Sequence, residues 1–112
     1  MSGRVYTVTF SAVSVAAAQD LFEVTPASNR PIEIVGIELG QTSDFGDAQD
    51  EGLQISFVRG HNTSGSGGTA ATPGAMSPLD TAAGFAAEVN NTTIAATGTT
   101  VTLMTGVWNV RS

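Results

Sequence analysis

Apolar and polar side chains alternate with a period of two along much of the chain, which is typical of half-buried β-strands. The alternation runs from Arg4 to Phe10 and from Leu53 to Arg59, and Leu21 to Thr25 is a further short strand that ends before Pro26. Thr7 and Thr9 interrupt the apolar residues near the N-terminus, so the first segment favours a strand over a secretion signal. The sequence therefore predicts three strands in its first half before any composition is considered.

The most hydrophobic segment, Ile32–Gly40, also alternates, but its phase reverses at Val35-Gly36. A glycine inside a strand often marks a bulge or bend. We therefore expect one long strand here, bent at that point.

The second half continues the pattern with one exception. Ser77-Pro78-Leu79-Asp80 offers an N-cap, a first-turn proline and a following carboxylate, which predicts a short helix ended by Gly84. Strands are predicted from Phe85 to the turn at Asn90-Asn91 and from Thr99 to Met104. Gly106 is expected to separate the latter from a last strand, Val107–Arg111.

Seven or eight short strands with turn residues between them indicate an all-β protein, a single β-sandwich or a jelly-roll-like barrel with long loops. The length of 112 residues favours one domain over residues 1–112. Residues 60–77 show no alternation and hold five of the 13 glycines. Such a long patternless segment predicts a flexible loop or an arm that reaches a neighbouring subunit.

The amino-acid composition excludes several classes of function. The net charge is −6, lysine is absent and cysteine is absent. An acidic chain does not hold a nucleic-acid backbone through counterion release, and no apolar run is long enough for a transmembrane helix. Without cysteine there are no disulfides, thiol nucleophiles or zinc fingers. We expect no nucleic-acid partner, no membrane partner and no cofactor.

Few residues could carry out catalysis, so we expect that the chain is not an enzyme. His61 is the sole histidine, and no serine elbow accompanies it. The acidic loop 44–51 could supply oxygen ligands to calcium, but its spacing is not that of an EF-hand; a solvated loop or a partner contact is the alternative. Within that loop Phe45 is a candidate exposed anchor for a partner's pocket.

Several segments resemble a group of small virion-associated proteins of tailed bacteriophages: residues 32–41, 46–51, 59–68 and 86–93, within a similarity from about Tyr6 to Arg111. The resemblance implies a virion location and a capsid decoration or cement role. It also implies a compact β-domain that forms a homo-oligomer, with a trimer favoured. The expected partner is the major capsid protein or another virion protein.

A surface with few charges suits such an assembly, because it is readily covered by neighbours. We expect six residues to lie at subunit contacts: Arg4, Arg30, Phe45, Arg59, His61 and Arg111. Two other readings stay open. One is a receptor- or glycan-binding β-module of a tail fibre or secreted protein. The other is a small enzyme with His61 near a carboxylate in a pocket.

Overall fold

The computed structural model describes residues 3–11, 13–40 and 52–109. Within them are seven strands and no helix: β1 (Tyr6–Thr7), β2 (Asp20–Thr25), β3 (Gly52–Arg59), β4 (Thr69–Ala71), β5 (Gly74–Ala75), β6 (Ala86–Asn91) and β7 (Val101–Asn109). The all-β class predicted from the alternation is therefore confirmed over the described ranges.

The strands form three small antiparallel sheets, ordered β1-β5, β2-β6-β4 and β3-β7. None of these sheets closes into a barrel among the residues described. The chain divides into two units, one of Met1–Glu33 with Thr63–Ala96 and one of Ile34–Asn62 with Thr97–Ser112. The first unit holds the β1-β5 and β2-β6-β4 sheets, and the second holds the β3-β7 ribbon.

In the first unit, β6 is the central strand of the three-stranded sheet. Ala87 of β6 lies opposite Val24 of β2 and Ala71 of β4, and it is 4% exposed. The Phe10 and Phe22 rings are 4.6 Å apart between centroids, and Tyr6 meets Phe85 edge-on at 5.8 Å. The predicted strand at 21–25 is confirmed, and so is the strand predicted from Phe85, which the structure has as β6. The predicted turn at Asn90-Asn91 is wrong, because β6 continues to Asn91, which pairs with Asp20.

In the second unit, β3 and β7 pair along their full lengths, with one register shift between Phe57 and Val58. The predicted strand 53–59 is confirmed. The predicted break at Gly106 is wrong, since Gly106 lies opposite Ile55 within one continuous strand. Backbone pairing continues through a glycine when the partner strand runs on beside it.

The predicted strand over Ile32–Gly40 is wrong for this structure, in which residues 31–40 have no strand assignment. Alternation makes a segment compatible with a sheet, but a strand forms only where another strand supplies its hydrogen bonds. For the same reason the predicted strand from Arg4 to Phe10 is reduced to β1, the part that pairs with β5.

Two further differences concern residues 60–85. The predicted helix at 77–80 is a turn in which the Asp80 N–H donates to the Ser77 carbonyl oxygen at 3.1 Å. Residues 60–77, to which no regular structure was assigned, contain β4 and β5. Those strands are only three and two residues long, too short for an alternation to be visible in the sequence.

Candidate functional site

A cluster of carboxylates and amides joins β2 to β6 in the first unit; we call it the carboxylate clasp (Asp20, Glu23, Ser64, Glu88 and Asn91). Glu23 and Glu88 lie directly opposite each other in the register of the two strands. Between them, the Asn91 Nδ2 donates to Glu23 Oε2 at 3.0 Å and to Glu88 Oε2 at 2.9 Å. Asn91 is 1% exposed, so its amide is the buried centre of the clasp.

The clasp holds the loop that precedes β4. The Ser64 hydroxyl donates to Glu23 Oε1 at 2.6 Å, and the Gly65 N–H donates to Glu23 Oε2 at 2.8 Å. The Gly68 N–H donates to Asn91 Oδ1 at 3.1 Å. Paired backbone hydrogen bonds between Thr63 and Ala96 and between Ser66 and Thr93 extend the attachment.

The same arrangement fixes the chain after β6. Asp20 Oδ2 accepts a hydrogen bond from the Ala95 N–H at 2.6 Å, and Ala95 is one of two buried hydrophobic residues in the described ranges. Two carboxylates directly opposite each other repel. Here they are offset by N–H and O–H donors from the loop and from Asn91, and no buried side-chain nitrogen or oxygen among the described residues lacks a partner. The clasp therefore binds backbone N–H groups, those of Gly65 and Gly68 before β4 and that of Ala95 after β6.

Close packing explains why glycine occurs at two positions of this loop. A Cβ on Gly65 would lie 2.5 Å from the Thr93 carbonyl oxygen, and one on Gly68 would overlap the Val89 carbonyl oxygen and Asn91 Oδ1. Both contacts are shorter than real Cβ atoms show. At these positions glycine lets the loop backbone approach β6 directly.

A different kind of surface occupies the second unit; we call it the open apolar surface. Its members are large hydrophobic side chains with 40 to 70% exposure: Ile34, Val35, Ile37, Val101, Leu103, Met104 and Val107. Val35 at 70% and Val107 at 67% are the most exposed of them. Met104 lies opposite Phe57 and Val107 opposite Gln54, so these side chains occur on both faces of the β3-β7 ribbon. Apolar side chains that are exposed to water are stabilised when another molecule covers them.

The predicted contact residues are dispersed in the structure. Arg4 Nη1 donates to Thr81 Oγ1 at 2.8 Å, and Arg4 Nε lies 3.8 Å from Asp80 Oδ1, so its partners are in its own unit. Arg30, Arg59 and His61 are exposed. No hydrogen bond or ion pair joins any two of these four described residues. Phe45 and Arg111 lie outside the described residues.

Sequence reasoning missed both the clasp and the open apolar surface. The signal for the clasp was Glu23, Glu88 and Asn91 inside otherwise apolar strands, because a polar residue in such a place needs a buried partner. The open apolar surface lies on segments that were expected to be covered by neighbouring strands.

The structure places no group of three or more histidine and carboxylate side chains so that they could hold a metal ion, over the residues it describes. The acidic loop 44–51, the candidate calcium ligand set, lies outside them. Within the described ranges there is also no helix of the length and apolarity needed to span a bilayer.

Comparison with known proteins returned no relative. No family model matches the chain, and neither a curated protein nor a solved structure matches it.

Proposed function

We propose that this chain is a structural protein of the virion of a tailed bacteriophage, a capsid decoration protein that acts by contacts between subunits. The observation that carries the proposal is the open apolar surface. Only Ala87 and Ala95 are buried hydrophobics in the described ranges, whereas Val35, Met104 and Val107 are mostly exposed. A chain that leaves so much apolar surface in water gains stability when neighbours cover it.

Two further features support an assembly role. The first is the resemblance of residues 32–41 and 59–68 to small phage virion proteins. The second is the polar remainder of the described surface, on which Arg4, Arg30 and Arg59 are exposed; the chain has no lysine. Within this proposal the strands form a β-sandwich, the protein is a homotrimer, and its partner is the major capsid protein or another virion protein.

The role in assembly is tested by adding the purified chain to empty capsids of the phage whose genome encodes it. We expect saturable binding, seen by co-sedimentation, and a trimer by light scattering. Val107→Asp should weaken binding, because a carboxylate in a covered apolar contact loses its hydration.

The matched control is Leu79→Asp, which places the same charge on a 93% exposed residue outside the open apolar surface. Leu79→Asp should bind capsids like the parent chain. A monomer that ignores capsids at all concentrations would contradict the proposal. Glycan-specific binding by that monomer would replace it with a receptor-binding function.

A further inference from the structure

Strand β3 has one edge that no described strand pairs. In the described part of the chain β3 pairs with β7 alone, so no described strand supplies partners to the backbone N–H and C=O groups of its other edge. A two-stranded ribbon is marginally stable in water, and an open edge is a template for one more strand.

The segment that precedes β3 in sequence, residues 33–40, has the residue pattern of a strand but does not form one in this structure. No backbone hydrogen bond from it occurs among those between described residues. Its apolar side chains Ile34, Val35 and Ile37 are 44, 70 and 48% exposed. Its backbone is therefore available to pair with the β3 edge of another chain.

The two sequences match when the segment is laid antiparallel along β3 with Glu33 opposite Arg59. Every second residue then gives an opposite-charge pair followed by three apolar pairs: Glu33 with Arg59, Val35 with Phe57, Ile37 with Ile55 and Leu39 with Leu53. On the other face Ile34 meets Val58 and Glu38 meets Gln54. Opposite charges and apolar pairs are the cross-strand contacts that stabilise a sheet.

Neighbouring registers lose this match. Shifting the segment by one residue in one direction places Ile37 opposite Ser56 and Glu38 opposite Ile55. Shifting it by one residue in the other direction places Ile37 opposite Gln54 and Glu38 opposite Leu53. A shift by two residues separates Glu33 from Arg59. Because register is set by which side chains share a face, the pairing is selective for one alignment.

We propose that residues 33–40 of one copy add as a strand to the free edge of β3 in a second copy, in the register that pairs Glu33 with Arg59. Residues 33–40 of the same chain do not pair with that edge in this structure, and the matched charges and apolar pairs favour the same segment of a second copy as its occupant. This inference rests on the proposed function and names its partner surface. A head-to-tail contact of this kind forms a ring when its rotation closes, which the proposed trimer requires.

A disulfide test distinguishes a second copy from the same chain. The natural chain has no cysteine, so a double variant with Ile37→Cys and Ile55→Cys has only the introduced pair. Directly opposite Cα atoms in an antiparallel pair are about 4.5 to 5.5 Å apart, within the range that a disulfide spans. We expect covalent oligomers on a non-reducing gel after mild oxidation.

The matched control is Ile37→Cys with Gln54→Cys, which places the two thiols on opposite faces in the proposed register and should form few crosslinks. Covalent dimers or trimers that form with Ile37→Cys and Ile55→Cys, and not with the control, support strand exchange between copies. If only dimers form, two copies exchange strands reciprocally and no ring is made. An internal disulfide in a monomer would overturn the proposal, and so would crosslinking no greater than in the control.

Charge reversal tests the register without cysteines. Arg59→Glu and Glu33→Arg should each raise the self-association midpoint concentration about five-fold, because like charges then face each other. The double variant should return it to that of the parent. Leu79→Glu, which adds a carboxylate at a 93% exposed residue outside the pairing, is the control and should leave it unchanged. If the double variant self-associated more weakly than either single variant, the proposed register would be wrong.

The readouts separate this inference from the proposed function. Normal capsid binding with self-association that the charge reversals leave unchanged would overturn the strand exchange and leave the decoration role standing. Normal self-association without capsid binding would do the opposite.

Discussion

The two units differ in what they bury. The first unit holds all three buried residues of the described ranges, Ala87, Asn91 and Ala95. Its Asn91 amide binds Glu23 and Glu88. Both units expose large hydrophobic side chains, Leu79 at 93% in the first and Val35 at 70% in the second, but the second buries no residue among those described. The stability of the first therefore depends more on internal contacts, and that of the second more on neighbours.

The largest expected effect is at the centre of the clasp. Asn91→Ala removes the donors shared by Glu23 and Glu88 and leaves two opposed carboxylates short of partners, so we expect a loss of about 3 kcal/mol in the free energy of unfolding. Chemical denaturation of the purified chain measures it. Asn62→Ala, at an exposed amide, is the control and should cost less than about 1 kcal/mol. Equal losses in the two variants would contradict the inward role of the clasp.

The glycines that bring the loop against β6 come next. Gly68→Ala places a Cβ against the Val89 carbonyl oxygen and Asn91 Oδ1, so we expect a loss of about 2 kcal/mol from overpacking. Gly84→Ala is the matched control, because nothing lies within 4 Å of its Cβ position. If thermal unfolding gave the two variants the same midpoint, the close approach of the loop would be refuted.

The third prediction concerns the open apolar surface and sharpens the contrast between the units. Val107→Asp should change the unfolding free energy of the dilute monomer by less than about 0.5 kcal/mol, because the residue is exposed there. The same variant should lower self-association markedly in sedimentation velocity. A large loss of monomer stability would show instead that this side chain is covered within its own chain.

The smallest expected effect is at Arg4. Its ion pair with Asp80 is partly exposed and 3.8 Å long, so Arg4→Ala should cost less than about 1 kcal/mol. The loss should shrink further in high salt. If Arg4→Ala instead abolished capsid binding while stability held, Arg4 would be the contact residue that its position in the sequence suggested.

What could be predicted from the sequence also differs from one region of the chain to another. Strands whose partners also alternate, such as β2 with β6 and β3 with β7, were predictable from periodicity. Residues 32–40 show the limit, because alternation records compatibility with a sheet and carries no information on whether a partner is present. The polar strand residues of the clasp carried a sequence signal, but its attachment to the loop was not predictable, since Ser64 and Gly65 come from a patternless loop and only the fold brings them to Glu23.

The order of the strands also has a kinetic consequence. Every strand pairing in the described chain joins distant segments: β1 to β5, β2 to β6, β4 to β6 and β3 to β7. Asp20 pairs with Asn91 and Gly52 pairs with Asn109, so the first residue of each pair is synthesised well before its partner. Non-local pairing of this kind slows folding, because loop closure precedes the contacts that reward it. During synthesis the β2-β6-β4 sheet can therefore assemble only after Asn91 has left the ribosome, and the β3-β7 ribbon only after Asn109 has, so the earlier strands of the nascent chain have exposed edges in that interval.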